Sequence, residues 1–465
     1  MQQPPEVQTF LKTVCQQVRW KQAHGTITGE LANHIEDQTE ANLRKGMAEE
    51  EAVRLALREM GDPVEIGLCM DESYRPRMEW TVAVPLLILL VCGTVLQLAF
   101  YGAITHYEAY QGESFAKLGL SLGMGGLLAA FAYHINFYRL YKLSWAGYAF
   151  LCASLIWHAT GDAVGLGYQG DVNWAYLTLL GPVFLAGVLY ALRGAGVWRL
   201  IAANALCAVP WLYLLLWSGE DLFHVLPCLI ACLVVLLCFL TSGAFPGKRR
   251  YVLLLSVLVW CGALLLLTFD WRQGRFNPFR YRRLADTVQR VMESNVDASA
   301  NGVRETLEHA KLFGQGGLTA GAKELFFEKI LWGEQVPGLE WCFMADYLIT
   351  YLIYRLGWAA GLGAVAVLLA VLVFGYARCF RLESILGRLL GVSIMSVYAV
   401  QVLLYLLGCF GIAGLGVPFP LPFLSVGYRS QILNMALMGM LLSLFRTDGL
   451  VADRQPGKKP TPLAQ

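Results

Sequence analysis

The stretch "EWCFMADYLITYLIYRLGW" holds the residue best placed to do chemistry, Asp346 at the head of an apolar run. A carboxylate at the edge of a membrane-length segment is expensive to desolvate. Its pKa rises there, toward the range useful for acid-base chemistry. The simpler role is a helix cap, because Asp accepts from free N–H groups where a helix starts. A second candidate is the basic run "WRQGRFNPFRYRRLADTVQR", with Arg275, Arg280, Arg282 and Arg283. Guanidinium groups bind phosphate bidentately, so this run can hold a phosphate-bearing lipid; the plainer reading is a solvated face beside anionic headgroups.

These residues must be positioned by a membrane protein. Of 465 residues, 57% are hydrophobic and 15% charged, and the mean hydropathy is +0.51. A soluble domain carries about 25% charged residues. The expected fold class is all-α, a polytopic helical membrane protein with about ten transmembrane helices and a small helical N-terminal domain. The apolar cores fall at 80–103, 118–137, 144–161, 173–192, 197–217, 222–242, 251–270, 345–374, 386–412 and 429–446. The domains are therefore 1–79, polar and helix-periodic; 80–446, with a large loop at 271–341; and a polar tail, 447–465.

Lys and Arg occupy alternate loops: Arg139 and Lys142, Arg193 and Arg199, Lys248 to Arg250, then Arg378, Arg381 and Arg388. The positive-inside rule with an even number of spans puts both termini in the cytoplasm and loop 271–341 outside. The N-terminus lacks the basic-then-apolar pattern of a cleavable signal peptide. Nothing in the charge pattern calls for nucleic acid; membrane lipids are the expected surroundings. Cysteines such as Cys228 and Cys232 lie in apolar runs as small packing residues.

In the first 79 residues, Leu31, Ile35 and Leu43 mark one apolar helix face, and Val53, Leu57 and Met60 another. Gly46 separates two helices and Gly61-Asp62-Pro63 stops the second. Glu30, His34 and Asp37 share a face where three metal ligands could sit, though a solvated face is the commoner role of such a set. The pieces "ELANHIED" and "GMAEEEAVRLALREMGDP" resemble the permease prefix domain of bacterial membrane proteins, which implies an interaction or regulatory role.

Two further motifs carry a resemblance. In "PFPLPFLSVGYRSQILNMALMGMLLSLF", Leu421, Pro422, Phe423, Ser425, Gly427, Ser430, Asn434 and Gly439 fall in ungapped register with a signature of the FtsW/RodA/SpoVE family, the SEDS proteins of cell shape, division and sporulation. Val426, Tyr428 and Arg429 depart from it. Asp346 and Gly357 match that family's Asp and Gly at the eighth span, and Leu312, Gly314 and Gly316 its preceding L-x-G-x-G run. Trp341, Cys342 and Met344 replace the family's Pro, Glu and His, and Ile353, Tyr354 and Arg355 its Gly-Glu-Glu. The chain thus looks like a divergent member.

The resemblance implies polymerisation of peptidoglycan glycan from lipid II, the undecaprenyl-diphosphate-linked disaccharide peptide, outside the cytoplasmic membrane. It implies a class B penicillin-binding transpeptidase as partner. Asp346 would be the base or the ligand of a divalent cation, Mg or Mn. The leaving diphosphate would meet Arg275, Arg280, Arg282 or Arg283, with Arg355 and Arg429 as alternatives. Ser425, Gly427, Ser430 and Asn434 would line the substrate site, with small residues giving close backbone approach at a helix start. A non-catalytic member that binds or moves a lipid-linked precursor, or scaffolds a wall-synthesis complex, is the alternative.

Overall fold

The computed structural model describes residues 4–21, 23–75, 78–103, 108–135, 137–163, 178–194, 196–216, 222–242, 251–252, 254–260, 269–270, 275–276, 298–320, 330–331, 334–335, 347–411, 420–425 and 427–448. The chain forms two compact units, Met1–Glu79 with Phe445–Gln465, and Trp80–Leu444.

In the first unit, α1 (Pro5–Gln17), α2 (His24–Arg44), α3 (Glu49–Met60) and α4 (Pro63–Ser73) enclose a core of Val7, Phe10, Leu11, Val14, Ile27, Leu31, Ile35 and Val53. Leu31 and Ile35 are core as expected, whereas Leu43 is exposed and its neighbour Asn42 is buried in its place. Gly61, at φ 93°, ends α3, and Asp62 then accepts from Val64 N at 3.0 Å to start α4 with Pro63 in its first turn. The Gly-Asp-Pro triplet therefore ends one helix and begins another. Glu30 receives the Tyr74 hydroxyl at 2.8 Å, so it serves an interhelical contact.

The membrane unit contains α5 (Trp80–Ala103), α6 (Glu108–His134), α7 (Phe137–Ala163), α8 (Gly181–Ala191), α9 (Val197–Leu216) and α10 (Leu222–Thr241). A helical stretch follows over 251–252 and 254–260. After it come β1 (Phe269–Asp270) paired antiparallel with β2 (Arg275–Phe276), α11 (Ala298–Glu308), and β3 (Ile330–Leu331) paired antiparallel with β4 (Glu334–Gln335). The chain continues through α12 (Leu348–Leu356), α13 (Trp358–Phe380), α14 (Ile385–Cys409) and α15 (Tyr428–Thr447). Among the described residues, Trp80–Leu98, Phe115–His134, Trp358–Phe380 and Ile385–Cys409 are long and apolar enough to cross a membrane. The protein is a multi-pass helical membrane protein.

α14 is the axis of this unit. It is buried along nearly its whole length and packs against α8, α10 and α13. α5, α6, α7 and α13 instead keep large apolar side chains outward, such as Leu127, Phe131, Phe150 and Val373. In water such a surface would aggregate; in hydrocarbon it is the solvent-matched face. The described cysteines are all free, and Cys228 and Cys232 are buried with their sulfurs 4.0 Å apart, in keeping with a packing role. One expected span is corrected: the run expected at 345–374 is broken at Gly357 into α12 and α13, and α13 runs on to Phe380. With 23 residues, α13 is roughly 34 Å long and crosses by itself. α12 is separate from it and turns back, so that Ile353 packs directly against Gly361.

Candidate functional site

The break at Gly357 leaves the last carbonyls of α12 and the first N–H groups of α13 without helical partners. Residues 311–316 supply those partners. Gly314 N donates to Leu356 O at 2.9 Å and Gly316 N to Tyr354 O at 2.8 Å. In return Trp358 N donates to Lys311 O at 2.9 Å and Ala359 N to Leu312 O at 3.1 Å. One loop thus caps two helix ends at once, which is how irregular backbone is tolerated beside a membrane span. Gly357 has φ 96°, and a Cβ there would lie 2.5 Å from the Leu312 carbonyl oxygen. Leu312, Gly314, Gly316 and Gly357, read as separate matches in sequence, belong to this one clasp. Gln315 ties it further, donating to Tyr354 Oη at 3.1 Å and accepting from Arg355 at 3.2 Å.

Asp346 lies outside the described residues, and α12 follows it. Its N-cap is Tyr347, which makes no side-chain capping bond. Instead Leu348 N donates to the Tyr405 hydroxyl of α14 at 2.6 Å, and the Thr350 hydroxyl donates to Cys409 O at 2.6 Å. Arg304 of α11 donates to Gly411 O at 2.8 Å just past α14. The start of α12 is therefore held by α14, with Leu348, Ile349, Ile353 and Tyr405 in one buried cluster.

The second motif begins with a strained turn. Phe423 is a non-glycine residue at φ 67°, and its ring is buried 5.6 Å from that of Tyr398. Around it, Leu421 N donates to Ser425 Oγ at 2.9 Å and Ser425 N to Leu421 O at 3.1 Å. Gln97 of α5 reaches the Ser425 carbonyl at 3.3 Å. Nearly two turns into α15, Asn434 and Gln401 exchange amide hydrogen bonds at 3.3 and 3.4 Å, and Asn434 also donates to Ser430 Oγ at 3.0 Å. The Tyr398 hydroxyl donates to Asn434 O at 2.8 Å. Ser121 of α6 donates to Gln431 Oε1 at 2.9 Å, while Gln431 Nε2 is buried with no hydrogen-bond partner.

The structure thus buries Ser425, Ser430 and Asn434 and joins Ser430 directly to Asn434. Gly427 is corrected. A Cβ there would meet Pro420 and Ser430 at 3.7 Å, ordinary contact, so this glycine gives no close backbone approach. Gly439 does: a Cβ there would collide with the Ala129 backbone of α6. Arg275 lies in β2 opposite Asp270. Arg280, Arg282 and Arg283 lie outside the described residues. Arg355 and Arg429 are exposed.

Sequence reading missed Gln97, Ser121, Tyr398, Gln401, Tyr405 and Gln431. A lone amide in an otherwise apolar span was the available signal for Gln97 and Gln401. Among the described residues, no Asp, Glu, Lys or Arg side chain is buried. The buried network is neutral; it can orient hydroxyls and backbone but cannot take a proton at neutral pH. Among the described residues no group of His, Cys, Asp or Glu is arranged to hold a metal ion, and that includes Glu30, His34 and Asp37.

No protein-family model and no curated protein matches the sequence. Solved structures do. A chain from the "Structural coordination of polymerization and crosslinking by a peptidoglycan synthase complex" study superposes with a TM-score of 0.53 at 20% identity, over 80% of this chain and 98% of that one. The rod shape determining protein RodA of Thermus thermophilus, and an Asp-to-Ala variant of it, each match with a TM-score of 0.47 at 18% identity, over the same 80% and 98%. The fold assignment rests on the first of these: the protein has the polytopic all-helical fold of a chain in a peptidoglycan synthase complex.

Proposed function

We propose that this protein is a divergent FtsW/RodA/SpoVE-type glycosyltransferase that polymerises glycan strands from lipid II at the outer face of a bacterial cytoplasmic membrane. The observation that carries the reading is at the start of α12. There the Tyr405 hydroxyl of α14 accepts from Leu348 N, and the N-cap position is Tyr347. The residue just before this tie on the chain, Asp346, is the acid that the family resemblance singles out. The shared fold and the ties from α12 to α14, and from α14 to the 421–434 segment, support the same reading.

In this reading Asp346 takes the proton from the attacking sugar hydroxyl as that oxygen bonds to the anomeric carbon of the growing strand. The bond to the lipid diphosphate breaks, and Arg275, Arg280, Arg282 and Arg283 stabilise the departing charge. Ser425, Ser430 and Asn434 act by positioning, since they are spent on one another and on backbone. A Mg or Mn ion, where used, would be held at Asp346 and would supply charge stabilisation. The partner in the reading is a class B penicillin-binding transpeptidase.

The test is polymerisation of labelled lipid II by the purified protein, with and without candidate transpeptidases. Asp346→Ala is expected to abolish product while the unfolding temperature stays unchanged; full activity in this variant overturns the assignment. A second reading, a non-catalytic member that binds or moves the lipid-linked precursor or scaffolds its synthases, draws on a separate observation. Where the family has a carboxylate pair, this chain has Tyr354, buried and bonded to Gln315, and Arg355. Tight lipid II binding without polymer in any partner's presence is its expected signature.

A further inference from the structure

Beside the clasp lies an apolar patch that the membrane-spanning segments do not explain. Leu312 is 64% exposed, Phe313 72%, Leu318 53% and Leu356 54%. Single exposed apolar residues are ordinary, but these four come from one loop and from the helix end to which that loop is hydrogen-bonded. The backbone of 311–316 is fixed by its hydrogen bonds to 354–359, and Leu312 and Phe313 pack their main chain directly on Gly357. The same bonds set the patch at a definite height. Lys311 and Leu312 accept from the first two residues of α13, the helix that spans, and Trp358 opens that helix. Trp at a span end marks the headgroup level. The patch therefore sits at the N-terminal end of α13, a helix that itself exposes Leu362, Val367, Leu369 and Val373. Its rim carries two exposed cations, Lys311 and Arg355.

We infer that the 311–318 loop is a membrane latch. Leu312, Phe313, Leu318 and Leu356 dip into the leaflet at the N-terminal end of α13, and Lys311 and Arg355 take the phosphates of anionic phospholipid there. The occupant is the lipid surface because apolar side chains ringed by cations, at the end of a span, match acyl chains beneath anionic headgroups. The latch would hold the α12–α13 break at the bilayer surface, and so fix the depth at which α12 begins. It stands whether or not the protein is a polymerase.

The test places photoreactive benzoylphenylalanine at position 313 of the full chain, reconstituted in vesicles of phosphatidylglycerol or of phosphatidylcholine. Position 313 is exposed, so the replacement leaves the fold intact. Illumination is expected to give a phospholipid adduct by mass spectrometry, with several-fold higher yield in phosphatidylglycerol. Each of Lys311→Ala and Arg355→Ala is expected to lower the phosphatidylglycerol yield about fivefold, the effect of one basic residue at a charged surface. An adduct to protein in native membranes, or no adduct, overturns the latch. Equal yield in the two lipids, unaffected by removing the cations, overturns the phosphate contact.

Discussion

The clasp at 311–316 and the network around Asn434 solve the same problem by opposite means. Each must satisfy polar groups next to membrane-spanning helices. The clasp does so with main chain: N–H groups of Gly314, Gly316, Trp358 and Ala359 meet carbonyls of Leu356, Tyr354, Lys311 and Leu312. The network does so with side chains, amide to amide and hydroxyl to carbonyl. Side-chain identity is thus nearly free in the clasp except where a Cβ would intrude, and constrained throughout the network. The largest predicted effect follows from that exception. Gly357→Ala forces a side chain into positive φ and against Leu312 O, and should cost about 3 kcal/mol. Thermal unfolding in detergent measures it. Gly427→Ala has room, and should change stability by no more than about 0.5 kcal/mol.

The network answers to a different perturbation. Asn434→Leu leaves the Gln401 amide and Ser430 hydroxyl buried without their partner, at a cost of about 2 kcal/mol. Adding Gln401→Leu removes the stranded amide, so the double variant should be more stable than Asn434→Leu alone. A double-mutant cycle on unfolding free energies gives the coupling; simple additivity would mean that the amide exchange at 3.3 and 3.4 Å contributes no coupling.

Tyr405 joins the two regions, being a side chain that caps a main-chain N–H. Tyr405→Phe keeps the ring in its buried cluster and strands Leu348 N, for about 1 kcal/mol. If polymerisation is the activity, lipid II turnover in this variant should fall more than its stability predicts, because the residue next to Tyr347 on the chain is Asp346. A loss of turnover no larger than the loss of folded protein would leave Tyr405 a purely structural cap.

What was legible in the sequence divides along the same line. The spans at 80–103 and 197–217 read off directly, because an apolar run of bilayer length has few alternatives. Leu312, Gly314 and Gly316, and separately Gly357, were legible as family matches, though not as one clasp, since spacing says nothing about who bonds whom. The break at Gly357 was hidden because "LITYLIYRL" is as apolar as a span. It becomes visible only when Ile353 folds back on Gly361. The amide network was hidden for another reason: Gln97 meets the Ser425 carbonyl, and Ser121 meets Gln431, across more than 300 residues of sequence and only through tertiary packing. Ser425, Ser430 and Asn434 were found by motif, and their partners could not be.

The smallest predicted effect takes the comparison into water. In the N-terminal unit the Tyr74 hydroxyl meets the Glu30 carboxylate at 2.8 Å, a side-chain contact like those of the network but near the surface. Partial burial, then the bond to Glu30 and its charge, push the Tyr74 pKa up from 10 to about 12. A folded-state pKa above the unfolded one means the contribution is fully present below pH 10 and fades as pH rises through about 12. Tyr74→Phe should therefore cost a few tenths of a kcal/mol at neutral pH, because solvent screens an exposed pair. The gap between variant and parent should close between pH 10 and 12. Unfolding of the two proteins followed across that window decides it: a gap that survives once the hydroxyl has lost its proton cannot come from its bond to Glu30, and that contact in water would then contribute nothing measurable, unlike its buried counterparts at Asn434.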